Sequence, residues 1–457
     1  MKSTPMYPSL TAQAGKSRCV SQAGGVLLTE VARATGLDQG LSQALAGWRS
    51  EWAIHDPGKI IMDMALAVAC GGDHLSDLSA IRCAPGVYGQ VASDPVVSRL
   101  FARLGHEPAK VEHLVGHAVA VARSQAWSLA GNQAPHVKAS RADPLVVDLD
   151  ATLISAHSDK EHAAATFKKT FGHHPLLAFA DHGEGGTGEP LHLMLRPGNA
   201  GSNTAADHIA VARTALARLP LRPCKKILVR ADGGGGTKDF IGWLTNRGVQ
   251  YSIGYTLPDN TPEIYHKILD ECWSPALDDE GEPRDGADVA EVTSLLDLAG
   301  WPKGMRVIIR RERPHPGAQL RFDDVDGYRI TGFATNTKTG QHAALELRHR
   351  RRARCEDRIR VCKATGLQGL PLQGFGPNRI WLLVVQIANC LIAWSQILAL
   401  TGTDASLWEP KRLRLYLYSC PAEIIHAARR VIIRFNQAHP GAAILAAAIP
   451  KMRCMRT

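Results

Sequence analysis

Apolar residues recur at helical spacing from Gly25 to about Gln133, in VLLTEVARATGL, GKIIMDMALAVAC and PVVSRLFARLG. Breaks near Asp56-Pro57, Gly71-Gly72 and Pro85-Gly86 divide this stretch into short helices. At Pro144 the period changes to that of a strand. PLVVDLDATLIS is a short, mostly apolar run carrying two carboxylates, Asp148 and Asp150. HPLLAFAD and EPLHLMLRP follow as strand-like runs joined by HGEGGTGEP. Gly183, Gly185 and Gly188 in that join have the spacing of a dinucleotide fingerprint. The fingerprint needs a helix next, whereas Pro190 and another strand follow, so a hairpin turn is expected.

SNTAADHIAVARTALARL reads as a helix capped by Ser202 or Asn203, and KKILVRAD as a buried strand ending at Asp232. After GGGG come TKDFIGWLTNRG as a helix and VQYSIGYT as a strand. The glycine tract fails the phosphate-loop pattern, because no glycine precedes Lys238; it reads as leaving room for a bulky ligand near Asp232. Three adjacent strands, then helix, strand, helix, strand, imply a mixed sheet covered by helices. That is the succession of a ribonuclease-H-like core.

The pattern becomes irregular from Leu257 to about Tyr328, too long for a simple loop. This excursion reads as a β-rich insertion, with WPKGMRVIIRRERPHPGAQLRF as basic strands either lying against DNA or simply solvated. DGYRITGFATN resumes the core. LELRHRRRARCEDRIRVCKATGLQGL, Leu345 to Leu370, then has a helix's composition, with no proline and no glycine before Gly366. At about 100° per residue, His349, Arg352, Glu356 and Lys363 share one narrow face, and Cys355, Ile359 and Cys362 form an adjacent apolar stripe. Such a stripe seats the helix on a core and holds one carboxylate among cations. Taken alone, a solvated basic helix whose Glu356 pairs with neighbouring arginines is an equal reading.

The apolar run from Leu382 to Leu400 is interrupted by Gln386, Asn389, Ser395 and Gln396, which favours a buried helix over a membrane span. The expected organisation is a loose arm over residues 1–20 within a helical N-terminal domain (1–140) suited to DNA-end binding. The catalytic core follows in two parts (141–256 and 328–405) around the insertion (257–327), and then a basic tail (406–457).

Composition narrows this further. Charged residues make up 21% and apolar ones 45%, as in ordinary globular proteins. Lys and Arg number 53 against 43 Asp and Glu, a formal charge of +10 that favours a polyanionic partner. Ten cysteines with no C-x-x-C pair read as small core residues in a reducing cytosol. The N-terminus lacks an apolar signal region, so a cytoplasmic, nucleoid-associated protein without membrane contact is expected. His113 and His117 lie four apart but lack a third ligand nearby, so they read as ordinary helix residues.

Metal-dependent phosphodiester chemistry needs carboxylates from separate elements to hold two ions roughly 4 Å apart. Asp150 and Asp232 at strand ends and Glu356 on a seated helix fit that need, and their oxygen ligands suit Mg²⁺ or Mn²⁺ rather than zinc. Asp148 and Asp150 share a strand face, so either qualifies as the first acid.

Three blocks resemble the DDE transposases of bacterial insertion sequences, which have a retroviral-integrase-like core, and most closely the insertion sequence thirteen-eighty group. They are DLDATLISAHSDKEHAAATFKKTFGHHPLLAF, ILVRADGGGGTKDFIGWL, and the helix, matching that family's Y-x2-R-x3-E-x6-K signature as His349, Arg352, Glu356 and Lys363. The resemblance implies catalytic, metal-binding Asp150, Asp232 and Glu356, with Asp150 preferred because D-x-T matches the pattern better. It implies that Arg352 and Lys363 contact phosphates of the element's end. His349 replaces the signature's Tyr; it is expected to stack or donate a hydrogen bond and to change charge near pH 6–7. Also implied are two divalent ions per site, terminal inverted repeats and target double-stranded DNA as partners, and a homodimer joining two ends. A ribonuclease-H-like nuclease that does not join ends, or an inactive DNA-binding repressor, are the alternatives.

Overall fold

The computed structural model describes residues 19–455 except 316, 319–323 and 428–429. Most of the loose arm expected over residues 1–20 thus lies outside the described residues. Cys19–Val20 is a short strand paired antiparallel with Ala422–Glu423.

The chain is a mixed α/β structure around a nine-stranded sheet. Its strands are β1 (Leu145–Ala151), β2 (Leu176–Asp181), β3 (Gly188–Met194), β4 (Ile227–Ala231), β5 (Gln250–Tyr255), β6 (Ser274–Leu277), β7 (Pro283–Glu291), β8 (Arg306–Glu312) and β9 (Arg329–Thr335). Their order across the sheet is β6-β7-β8-β9-β5-β4-β1-β2-β3. β1, β4 and β5 run parallel, and all the other neighbours are antiparallel. The G-x-G-x-x-G stretch is the β2–β3 hairpin, with Asp181 opposite Gly188 and with Gly183 and Gly185 at positive φ. The strands of the 257–327 stretch do not stand apart, because β8 pairs with β9 and so extends the central sheet.

The helices that matter here are α1 (Pro108–Ala130), α2 (Ala205–Ala217), α3 (Lys238–Asn246), α4 (His342–Arg350), α5 (Ala353–Cys362) and α6 (Phe375–Leu398). α6 is long and apolar enough to cross a membrane by length and composition, yet 94% of its apolar 18-residue window is buried inside the protein. A helix apolar on all sides must be covered on all sides. It packs on β3, on α1 and on the N-terminal helices Val26–Ala34, Pro57–Ala69 and Asp94–Gly105. For that reason the N-terminal helices share one continuous core with the sheet.

A buried carboxylate locks this junction. Glu189 on β3 accepts from Arg123 and Trp127 of α1, from Trp394 of α6 and from His182. Burial pushes its carboxyl up, but Arg123 and the hydrogen bonds win and hold it at about 2. Four of the ten cysteines, Cys355, Cys362, Cys390 and Cys420, are buried, fewer than a core role for all of them requires.

Candidate active site

β1 and β4 lie side by side and parallel, with Leu149 opposite Ala231, so the next positions, Asp150 and Asp232, stand at the same end of the two strands. Asp150 is the penultimate residue of β1, with its side chain 12% exposed. Asp232 follows β4 directly and caps the turn Gly233–Gly235, its carboxylate accepting from the Gly234 N–H at 3.0 Å. The glycines serve that turn rather than a bulky ligand. A Cβ on Gly236 would sit 2.5 Å from the Gly254 carbonyl oxygen, and one on Gly254 would sit 2.5 Å from the Gly233 nitrogen. Side chains there would push the loop off β5, and only Gly233 faces open space.

Glu356 arrives on α5, which lies over β1 and β2. The apolar stripe seats that helix: Cys355, Ile359 and Cys362 are all buried. Burial, with the charges of Asp148 and Asp150, pushes the Cys355 thiol well above its usual range, placing this helix over both aspartates.

The single helix expected from Leu345 to Leu370 is instead broken twice. α4 ends at Arg350 and α5 begins at Ala353. After Cys362, a wide turn over Lys363–Leu367 kinks at Thr365 and at Gly366, whose φ is 83°. The first break has a specific cause. In a continuous helix the Arg348 carbonyl would accept from the Arg352 N–H. Here it accepts from the Arg230 guanidinium at 2.6 Å, and the Arg352 N–H turns to the His349 carbonyl.

Arg230 is held in place from below. It donates to both oxygens of Asp148, at 2.6 and 2.8 Å, and to Asp181 at 3.3 Å. Asp181 also receives Arg354 and Arg358 of α5. Asp148 is thus the buried, fully paired member of the two β1 aspartates.

Arg352 sits between the other acids, 3.3 Å from Asp150 on one side and 3.3 Å from Glu356 on the other. Burial, the neighbouring charge of Asp232 and, more weakly, that of Glu356 raise the Asp150 carboxyl to about 7, while Arg352 pulls it down. The three expected acids therefore share one electrostatic neighbourhood. They are not drawn together around a point: among the described residues, the trio of such groups whose ligand atoms all lie within 4.8 Å is Asp73, His74 and Asp77, the first two exposed. The oxygen-only set of neighbouring carboxylates, one of them raised by burial and then by its like-charged neighbours, fits a divalent hard cation.

Lys363 is half-buried beside a cavity lined by Glu356, Arg360, Gln368 and Lys411, and burial and the charge of Lys168 lower its pKa. His349 departs from expectation. It lies on α4, not on the helix of Glu356, stacked on Phe333 at 4.5 Å and bonded to the Ser252 hydroxyl. Burial, with the charges of Arg230 and Arg352, pushes its pKa down to about 3, so it stays neutral at pH 6–7. One face of its ring is engaged with Phe333 inside the protein, although the residue is only partly buried. Of the expected basic strands, β8 is described, and its arginines are paired within the protein: Arg306 with Glu291, Arg310 with Glu346, and Arg311 with Asp288.

Sequence reasoning passed over Arg230 and Asp181. The signal was there, since a charge inside ILVRA and another closing LLAFAD cannot both be buried without partners.

A family model described as "Transposase DDE domain group 1" matches residues 3–457. No curated protein matches the chain. Among solved structures, a piggyBac transposase synaptic complex with hairpin DNA aligns with a TM-score of 0.41 and 11% identity, over 86% of this chain and 76% of that one.

Proposed function

The chain belongs to the DDE-domain transposases of group 1, and from that premise we propose that it cuts the ends of its own insertion sequence and joins the freed 3′-OH ends to target DNA. DDE transposase domains use divalent metal ions. The observation that carries the reading for this chain is the meeting of adjacent strand ends with α5: Asp150 and Asp232 side by side, and Arg352 linking Asp150 to Glu356. The strand order β3-β2-β1-β4-β5, antiparallel on one side of β1 and parallel on the other, supports a ribonuclease-H-like, retroviral-integrase-like core for this site.

Asp150, Asp232 and Glu356 would hold the ions, two per site, with Mg²⁺ or Mn²⁺ suited to their oxygen ligands. Bound there, the metal supplies Lewis acidity to the attacking oxygen and offsets charge on the leaving 3′ oxygen. The chain's own residues do the rest. Strand-end backbone fixes Asp150 and Asp232, and the buried stripe of α5 fixes Glu356. Arg352 neutralises the acids while the site is empty of DNA, then exchanges that bridge for a phosphate of the element's end. Lys363, one cavity away, takes another. In cleavage, water oxygen bonds to phosphorus and the 3′ oxygen departs, taking up a proton. In joining, that 3′-OH attacks a target phosphodiester and displaces a target 3′ oxygen, so bond count and energy are conserved without an external energy source.

A homodimer on paired inverted repeats, a bacterial source in the insertion sequence thirteen-eighty group and a nucleoid location complete the reading.

The test is Mg²⁺-dependent cleavage of the terminal repeats by wild type and Glu356→Ala, together with strand transfer from a pre-cut end bearing a 3′-OH. Both activities in wild type and neither in the variant are expected. Cleavage without joining would make the protein a nuclease. Binding without cleavage would make it a repressor.

A further inference from the structure

Between Asp150 and β2 the chain makes a small three-stranded sheet, Ile154–Ser155, Ala164–Ala165 and Phe171–His173. It is pinned to the segment before α6: the Lys160 ammonium donates to the Leu372 carbonyl at 3.2 Å, and Glu161 accepts from the Phe375 N–H at 2.6 Å. The last two strands are joined by a tight turn, Thr166–Thr170. Its backbone closes with Thr166 N–H to the Thr170 carbonyl at 2.7 Å and Lys169 N–H to the Thr166 carbonyl at 3.0 Å. The two threonine hydroxyls lie 2.7 Å apart across it. Lys169 takes φ 59°, a left-handed conformation that costs a residue other than glycine free energy.

This tightly held turn presents an unusual group. Phe167 is 65% exposed, with the Lys168 ammonium 5.7 Å from its ring centre. It is flanked by Lys168 and Lys169. Its ring lies 5.4 Å from that of His174, which bonds the Ala200 carbonyl at 3.1 Å; two residues on, the Ser202 carbonyl lies against Gly234, in the turn that Asp232 caps. Lys168 is close enough to Lys363 to lower that residue's pKa. The exposed aromatic and its lysines therefore stand at the rim of the carboxylate site, on the side of Asp232 and Lys363. An aromatic face beside cations matches a nucleobase joined to phosphates better than an apolar protein surface, which the lysines would have to desolvate.

We propose that this turn is a contact for the end of the element, in which Phe167 stacks on the face of a base beside the scissile phosphate and Lys168 and Lys169 bind the flanking phosphates. The inference rests on the transposase reading and adds to it the group that grips the end. Stacking of this kind is tolerant of base identity, so the turn fixes position rather than sequence.

The experiment uses full-length protein and terminal-repeat duplexes carrying 5-iodouracil at successive positions around the cleavage point. Irradiation should crosslink Phe167 at one of them, as mapped by mass spectrometry. Phe167→Ala should lose that crosslink and about tenfold in affinity for the pre-cut end, without a change in Tm. Phe167→Trp should keep both. A wild type that binds and cleaves the repeat but crosslinks elsewhere, or a Phe167→Ala variant that binds with wild-type affinity, overturns this inference and leaves the transposase reading standing. A wild type that neither binds nor cleaves the repeat removes both.

Discussion

Asp148 and Asp150 lie two residues apart on one strand, each facing α5 and each opposite an arginine, yet they are different kinds of group. Asp148 is buried and gripped through both oxygens by Arg230. Asp150, at the strand's end, meets its arginine singly at 3.3 Å and has two further acids near it. The first pair is satisfied, so it holds structure; it sets where α4 ends and α5 starts. The second is buried with like charge beside it, and that unfavourable arrangement is what a cation would relieve. Two residues of strand, about 7 Å, separate a structural ion pair from a candidate metal ligand.

The largest expected effect separates them outright. Asp150→Ala should lower metal-dependent cleavage by roughly a thousandfold, while urea unfolding shows stability unchanged or raised. Wild-type cleavage in this variant would remove Asp150 from the site.

Asp148→Ala should instead strand Arg230 without its main partner and cost about 3–5 kcal/mol of stability, read from the same unfolding curves. A loss under about 1 kcal/mol would mean that Asp148 is not the structural member.

Arg230→Lys keeps the charge but cannot hold both Asp148 oxygens and the Arg348 carbonyl. It should cost about 2 kcal/mol and reduce cleavage while leaving affinity for the repeats intact. Weakened DNA binding with unchanged turnover would show that Arg230 does not act by positioning α5.

The pH dependence sharpens the contrast more finely. Asp150 is raised from 3.8 to about 7, so in the metal-free protein its contribution to stability is present below pH 3.8 and lost as pH rises through about 7. Metal binding needs the carboxylate, so Mn²⁺ affinity should climb with pH and level off above about 7. Calorimetric titrations showing affinity flat from pH 5 to pH 8 would contradict the raising of Asp150 by burial and by its acidic neighbours. The smallest effect is that of Arg352→Gln. Arg352 lowers the Asp150 pKa, so its loss should move that profile toward higher pH.

Much of the architecture was legible along the chain. The switch from helical to strand period at Pro144, the hairpin at HGEGGTGEP, and the strand ends at Asp150 and Asp232 are consequences of local side-chain patterning, and they form as the pattern requires. The stripe of Cys355, Ile359 and Cys362 was legible for the same reason. The unbroken helix from Leu345 was not an achievable reading. Its break comes from a guanidinium more than a hundred residues away that competes for one carbonyl, and no local propensity records that.

By itself, then, the sequence determined which residues alternate, which runs are buried and where acids stand at the ends of strands, because these follow from the chemistry of neighbours in the chain. The tertiary structure decided which aspartate is spent on Arg230, that His349 stacks on Phe333 and stays neutral, that Arg352 bridges Asp150 and Glu356, and that the arginines of β8 pair with carboxylates of β7 and α4. Each of these is a choice of partner for a charged or polar group. Such choices depend on distances of a few ångströms between segments far apart in the chain, and on the cost of burying a charge unpaired.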